Sequence, residues 1–139
     1  MTAAPEAREM VAIAALAAAE KGATDIVALD VSDTLVITDA FFIASADNER
    51  QVNSIIEEIE DKLRESGHKA LRREGTREGR WALLDYGDLV VHVQHDDERD
   101  FYGLERLWKD CPAMEIEGIE APSRDRANEV DPDLAGSGE

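Results

Sequence analysis

The segment 80–109, RWALLDYGDLVVHVQHDDERDFYGLERLWK, constrains the fold of this chain more than any other part of it. Residues 80–85 and 89–95 are rich in β-branched and aromatic types, which is typical of strands. Tyr86-Gly87 between them has the length of a two-residue hairpin turn, and the glycine can supply a positive φ. Alternation then predicts two faces for the second strand: Leu89, Val91 and Val93 on one, Val90, His92 and Gln94 on the other.

An amphipathic helix is expected after this hairpin. Its apolar positions recur at helical spacing, at Phe101, Leu104, Leu107 and Trp108. The segment also holds both tryptophans and both tyrosines of a chain that is only 5% aromatic. Rings with charges of both signs beside them are typical of protein–protein interfaces.

Upstream, the pattern alternates helices and strands. Pro5 suits a first helical turn and Gly22 a helix end, with a narrow apolar stripe between them, namely Met10, Ile13, Leu16 and Ala17. Residues 25–31 are predicted to form a strand that places Val27, Leu29 and Val31 on one face. Residues 36–38 are a short continuation, and the apolar run 40–46 fits a central strand covered on both faces.

A long amphipathic helix follows, with Asp47 as its expected N-cap and Gly67 as its stop. Its apolar positions are Val52, Ile55, Ile56, Ile59 and Leu63. Residues 69–74 are predicted as an edge strand and 75–79 as a loop. The fold class is therefore α/β of the α+β type, with a single mixed sheet flanked by helices. Residues 114–119 could add a last edge strand.

Composition indicates one domain over residues 1–114 and an acidic, disordered tail over 115–139. The chain has 139 residues and 43% hydrophobic content, which supports a modest core. The tail is rich in acids and ends in Gly-Ser-Gly-Glu, so it cannot bury enough apolar surface to offset its ordering entropy. With no membrane-length apolar run, no signal-peptide pattern and a single cysteine, Cys111, we expect a soluble cytoplasmic protein.

The net charge of −17 disfavours direct binding to DNA or RNA, because phosphates are repelled. It suits a basic protein surface as the partner. An origin in an organism with a generally acidic proteome would explain the same charge without any partner.

The sequence argues against an enzyme. A nucleotidyl transferase needs carboxylates that converge on metal ions and a Gly-Ser turn for phosphates. The candidate carboxylates are Asp30, Asp33, Asp39, Asp85 and Asp88, but the strand 40–46 ends in Ala44-Ser45-Ala46 instead. His92 and His95 lie three apart on a strand and point to opposite faces, so they cannot share a metal. We expect no cofactor and no metal; a metal-dependent nucleotidyl transferase with weak residual activity is the alternative.

Three blocks of the sequence resemble the ribosomal silencing factor (Iojap) family. They are ALDVSDTLVITDAFFIASADNERQV, RREGTREGRWALLDYGDLVVHV and ERDFYGLERLWKD, and the resemblance covers roughly residues 5–112. It implies a domain related to the nucleotidyltransferase fold without its catalytic motif. It also implies binding to ribosomal protein fourteen of the large subunit, which sterically prevents the small subunit from joining and lowers translation when nutrients or energy are short. Family members are often homodimers when free.

The hairpin is the candidate partner-binding site. We expect the face of the strand pair that helices do not cover to contact the partner through Trp81, Tyr86, Asp88 and His92, with Glu74, Tyr102 and Arg106 as further contacts. Trp108 is expected in the core, because it lies on the apolar stripe of the predicted helix. Trp81, beside a flexible loop, is expected at the interface.

Overall fold

The computed structural model describes residues 4–116, and the predicted tail from 117 onward lies outside the described residues. Four helices and five strands are present in the described part. The helices are α1 (Pro5–Glu20), α2 (Glu49–Glu65), α3 (Asp96–Tyr102) and α4 (Leu104–Leu107). The strands are β1 (Thr24–Asp30), β2 (Ala40–Ala46), β3 (Arg72–Glu74), β4 (Trp81–Asp85) and β5 (Leu89–His95).

The five strands form one mixed sheet in the order β1-β2-β5-β4-β3. Strands β2 and β5 run parallel, and every other neighbouring pair is antiparallel. The parallel pair lies in the middle of the sheet, which agrees with the continuous apolar runs of these two strands. The prediction of a single mixed sheet with flanking helices is confirmed.

Helices α1 and α2 cover one face of the sheet. The predicted inward positions of α2, namely Val52, Ile55, Ile56, Ile59 and Leu63, are all buried. Small side chains let α1 approach closely, since five of its alanines are buried: Ala7, Ala14, Ala15, Ala17 and Ala18. The prediction that Leu16 belongs to the buried stripe of α1 was wrong, because this residue is 58% exposed.

The strands send alternate side chains into this helix-covered layer. They include Ala28, Phe42, Ala44, Leu84, Leu89, Val91 and Val93, all fully buried. The predicted alternation of β5 is therefore confirmed, with Leu89, Val91 and Val93 facing the helices. The opposite face carries a smaller apolar cluster of Val27, Leu29, Val31, Ile43 and Cys111, with Trp108 packed against it.

The N-cap of α2 is Asn48, one residue later than predicted. Its Oδ1 accepts a hydrogen bond from the backbone N–H of Gln51 at 2.8 Å. Asp47, the expected cap, accepts from the Asn48 side-chain amide instead. Either residue type can cap a helix, so only the backbone geometry decides between two neighbours.

We expect Asn48→Ala to lower the free energy of unfolding by about 1 kcal/mol, because it leaves an N–H group in the first turn of α2 without its side-chain acceptor. Urea unfolding of this variant and of Asp47→Ala provides the measurement. A larger loss in Asp47→Ala would contradict the assignment of the cap.

Three local predictions were wrong. Residues 36–38 form no strand, and Val36 and Ile37 are exposed in the connection between β1 and β2. The helix expected through Trp108 is broken at Gly103, whose φ of 56° is left-handed and ends α3. The hairpin turn lies one residue later than predicted, because the N–H of Tyr86 donates to the carbonyl of Leu89 and leaves Gly87 and Asp88 at its centre.

The far edge of β1 is occupied by the chain that follows α4. Leu29 forms an antiparallel bridge with Ala113, and the N–H groups of Asp30 and Met114 make the flanking hydrogen bonds, each 2.8 Å long. The last edge strand predicted from residue 114 begins slightly earlier as this bridge, and its residues from 117 onward lie outside the described residues. Between residues 4 and 116, no helix is both long and apolar enough to cross a membrane.

Candidate functional site

A continuous row of six rings crosses the sheet face that α1 and α2 leave open. In order, the row comprises Trp108, Phe41, His92, Trp81, Tyr102 and Phe101, with successive centroids 5.5, 5.4, 6.1, 4.8 and 5.0 Å apart. We call it the ring row. It draws on β2, β5, β4, α3 and the residue after α4, so it exists only because the sheet brings these elements together.

The two ends of the ring row differ in exposure. At one end, Trp108 packs on the cluster around Ile43 and Cys111. At the other end, Tyr102 is 48% exposed and Phe101 is 76% exposed. Exposed aromatic side chains grouped on one surface are typical of contact sites for another protein.

Trp81 and His92 are joined by a hydrogen bond at the centre of the row. The indole Nε1–H of Trp81 donates to Nδ1 of His92 at 3.1 Å. His92 is only 7% exposed, and this burial lowers its pKa from 6.5 to about 4. The imidazole is therefore neutral at physiological pH, with its proton on Nε2. The hydrogen-bond partner of this imidazole is an indole and not a carboxylate.

Acidic side chains border the exposed end of the ring row. Helix α3 begins Asp96-Asp97-Glu98, directly before the turn that carries Phe101 and Tyr102. Arg80 holds this helix in place, with its guanidinium 2.7 Å from a Glu98 oxygen and 3.3 Å from a Glu49 oxygen on α2. The hydrogen bond to Glu98 is the main cause that raises the pKa of Arg80. The surface thus presents rings beside negative charge, which complements a basic partner.

The structure separates two of the predicted site residues from the others. Tyr86 faces the helix-covered layer, where its side chain is largely buried, and burial raises the pKa of its hydroxyl to about 12. Asp88 is exposed in the hairpin turn, and its carbonyl accepts from the N–H groups of Asp39 and Ala40. The expectation that these two residues share an uncovered face with Trp81 and His92 is wrong for Tyr86, because its side chain continues the alternation of β4, in which Ala82 and Leu84 face the helices.

Glu74 and Arg106 are not members of the ring row. Glu74 is exposed on the edge strand β3, directly opposite Leu83 of β4, and therefore on the same face as Trp81. Arg106 is half-buried in α4. Its guanidinium lies against Gly103, where an added Cβ would approach it to 2.4 Å. Trp81, His92 and Tyr102 form one contiguous group, and Glu74 shares its face.

Three of the candidate carboxylates accept hydrogen bonds from backbone N–H groups. Oδ1 of Asp30 accepts from the backbone N–H of Ser32 at 3.0 Å, and Oδ1 of Asp85 accepts from that of Gly87 at 2.8 Å. Oδ2 of Asp39 accepts from the N–H of Ala4. Within the part of the chain that the structure describes, no group of three or more His, Cys, Asp or Glu side chains is arranged to hold a metal ion.

Comparison with known proteins decides the family. The family model for the ribosomal silencing factor during starvation matches residues 4–136. The chain belongs to the ribosomal silencing factor family. A ribosomal silencing factor from Bacillus subtilis is 42% identical over 110 residues, covering 79% of this chain and 93% of that protein. Another, from Halalkalibacterium halodurans, is 41% identical over 112 residues, covering 81% and 96%.

The fold is shared as well. The crystal structure of a protein from Chromobacterium violaceum has a TM-score of 0.73 and 31% identity, and the match covers 83% of this chain and 94% of that one. The resemblance read from the sequence is thereby confirmed, and the family match extends past residue 112, where that resemblance was expected to end. The relatives are named as silencing factors, which is a regulatory role.

Sequence reasoning missed part of the site in this silencing factor. Phe101 was expected on the apolar side of a helix, and Phe41 in a central strand gave no sign of its place in the ring row. Arg80 also escaped notice, although it follows a glycine loop and precedes the strand that carries Trp81. The one local signal was the pair Phe101-Tyr102 directly after a run of acids, which is unusual for buried rings.

Proposed function

We propose that this silencing factor binds ribosomal protein fourteen of the large subunit and sterically blocks joining of the small subunit. Translation would thereby fall when nutrients or energy are limiting. The observation that carries the proposal is the exposed end of the ring row, with Phe101 and Tyr102 bordered by the acids of α3. Ribosomal proteins are basic, so a ring patch inside a negative field suits such a surface.

This mechanism needs no turnover. Bulk placed at the joining surface of the large subunit is enough to exclude the small one, so the factor acts by occupancy and not as an enzyme. The carboxylates of Asp30 and Asp85 support this proposal, because they complete turns in the backbone. We place the activity in the cytoplasm, where subunits join, and we expect the free protein to form a homodimer.

Co-sedimentation with purified large subunits in the absence of nucleotide tests the proposal. We expect the factor to sediment with large subunits and to reduce the formation of complete ribosomes from mixed subunits. The matched control is Leu16→Ala, which removes an exposed apolar side chain from the helix layer and should leave binding unchanged. Failure to bind, together with magnesium-dependent nucleotide turnover, would instead favour a nucleotidyl transferase.

Binding to the isolated ribosomal protein should weaken and become slower as salt rises. The factor carries a net charge of −17, so long-range attraction contributes to encounter with a basic partner. Raising ionic strength from about 0.1 M to about 1 M shortens the screening length from about 10 Å to about 3 Å. Surface plasmon resonance across this range would measure both rates. Equally tight binding to naked ribosomal RNA fragments would contradict the assignment of ribosomal protein fourteen as the partner.

A further inference from the structure

His92 is the one buried ring of the ring row, and its neighbours Phe41 and Trp81 are both partly exposed. The residue is 7% exposed, so little of it is available to a partner. One side contacts the Phe41 ring at 5.4 Å with an interplanar angle of 82°, and Nδ1 accepts the indole N–H of Trp81. Trp81 in turn packs on Tyr102 with centroids 4.8 Å apart. Trp81 therefore connects the imidazole to the exposed end of the ring row.

We propose that His92 is a positioning residue that holds the Trp81 indole in its docking orientation and does not itself contact the partner. This inference rests on the proposed function, in which Trp81 and Tyr102 form part of the contact surface. The sequence predicted that His92 contacts the partner. In the role proposed here, His92 instead orients Trp81, and Trp81 makes the contact.

The chemistry of the two rings supports this role. An indole has a single N–H donor and no acceptor, so one well-placed acceptor is enough to select the orientation of the ring. Phe41 packs against the imidazole and restricts its movement, because β2 and β5 are neighbours in the centre of the sheet. A side chain ordered before binding loses less conformational freedom when the complex forms.

A double-mutant cycle isolates this effect. His92→Phe keeps a ring that can pack on Phe41 but removes the acceptor. We expect it to weaken binding to large subunits roughly three- to tenfold, as for the loss of one preordered side chain. In a Trp81→Phe background, which has no indole N–H, the same change should have little further effect. Equal losses in both backgrounds would overturn the proposal.

The indole N–H resonance of Trp81 provides a second test that does not need the ribosome. Trp108→Phe identifies which of the two indole signals belongs to Trp81. Hydrogen exchange of that N–H should be at least about tenfold faster in His92→Phe than in the parent protein, whereas His92→Asn, which keeps an acceptor at the δ position, should restore protection. Unchanged exchange in His92→Phe would overturn the proposal. If the parent protein fails to bind large subunits, the proposed function fails, while this measurement still decides whether His92 orders Trp81.

Discussion

Trp81→Ala is expected to weaken binding to large ribosomal subunits roughly thirtyfold, a loss of about 2 kcal/mol, while the melting temperature stays nearly unchanged. The indole is half-buried at the start of β4 and packs on Tyr102 and His92. The substitution to alanine would remove the ring that contacts both His92 and Tyr102, next to the exposed end of the ring row. Sucrose-gradient sedimentation measures inhibition of subunit joining, and thermal unfolding measures stability in the same preparation.

Trp108→Ala is the internal control, because Trp108 lies at the end of the row that packs on the cluster around Ile43, whereas Trp81 packs on Tyr102 toward the exposed end. Trp108 packs on the Ile43–Cys111 side of the sheet and on the edge of Phe41. Its loss should create a cavity and cost about 3 kcal/mol of folding stability, with binding retained at low temperature. If Trp81→Ala instead melts many degrees lower and still binds, Trp81 belongs to the core and not to the contact surface.

Acidification should destabilise the fold through His92 by about 3 kcal/mol between pH 7 and pH 4. Burial lowers the pKa of His92 from 6.5 to about 4. As pH falls below 6.5, the unfolded chain binds a proton that the folded protein does not accept until about pH 4. The stability contributed by neutral His92 is therefore present above pH 6.5 and is lost progressively across this window.

Urea unfolding at several pH values, on the parent protein and on His92→Gln, would measure this contribution. The 32 aspartates and glutamates also titrate on acidification, so the decisive quantity is the difference between the two curves. We expect the free energy of unfolding of the parent to fall more steeply than that of the variant between pH 6.5 and pH 4. Parallel curves would show that His92 is not held neutral by burial.

Hydrophobic periodicity predicted the elements of this fold where one face of each is buried. Helix α2 is the clearest case, since Val52, Ile55 and Ile59 recur at helical spacing and all three are buried. The apolar run of β2 predicted a central strand, and β2 lies between β1 and β5 with side chains buried on both faces. An element with one buried face shows a strong hydrophobic pattern in its sequence, because a polar residue at a buried position costs folding free energy.

Details that depend on a single backbone angle or one turn residue could not be predicted. The break at Gly103 divides what periodicity describes as one helix, because a glycine in a left-handed conformation interrupts the chain without changing the spacing of apolar residues. The hairpin turn moved by one residue, so Tyr86 pairs with Leu89 instead of lying within the turn. It therefore continues the alternation of β4 and lies on the face opposite Trp81.

The sequence by itself determined the sheet strands, the two main helices, the acidic character and the family, because these depend on local pattern and on motifs within contiguous blocks. Only the tertiary structure decided which rings meet. Phe41, His92, Trp81 and Tyr102 come from β2, β5, β4 and α3, and their contacts follow from strand order and register rather than from any local spacing. Burial of His92 beneath Trp81 likewise arises from that long-range packing, because neighbours distant in the chain exclude water from the imidazole.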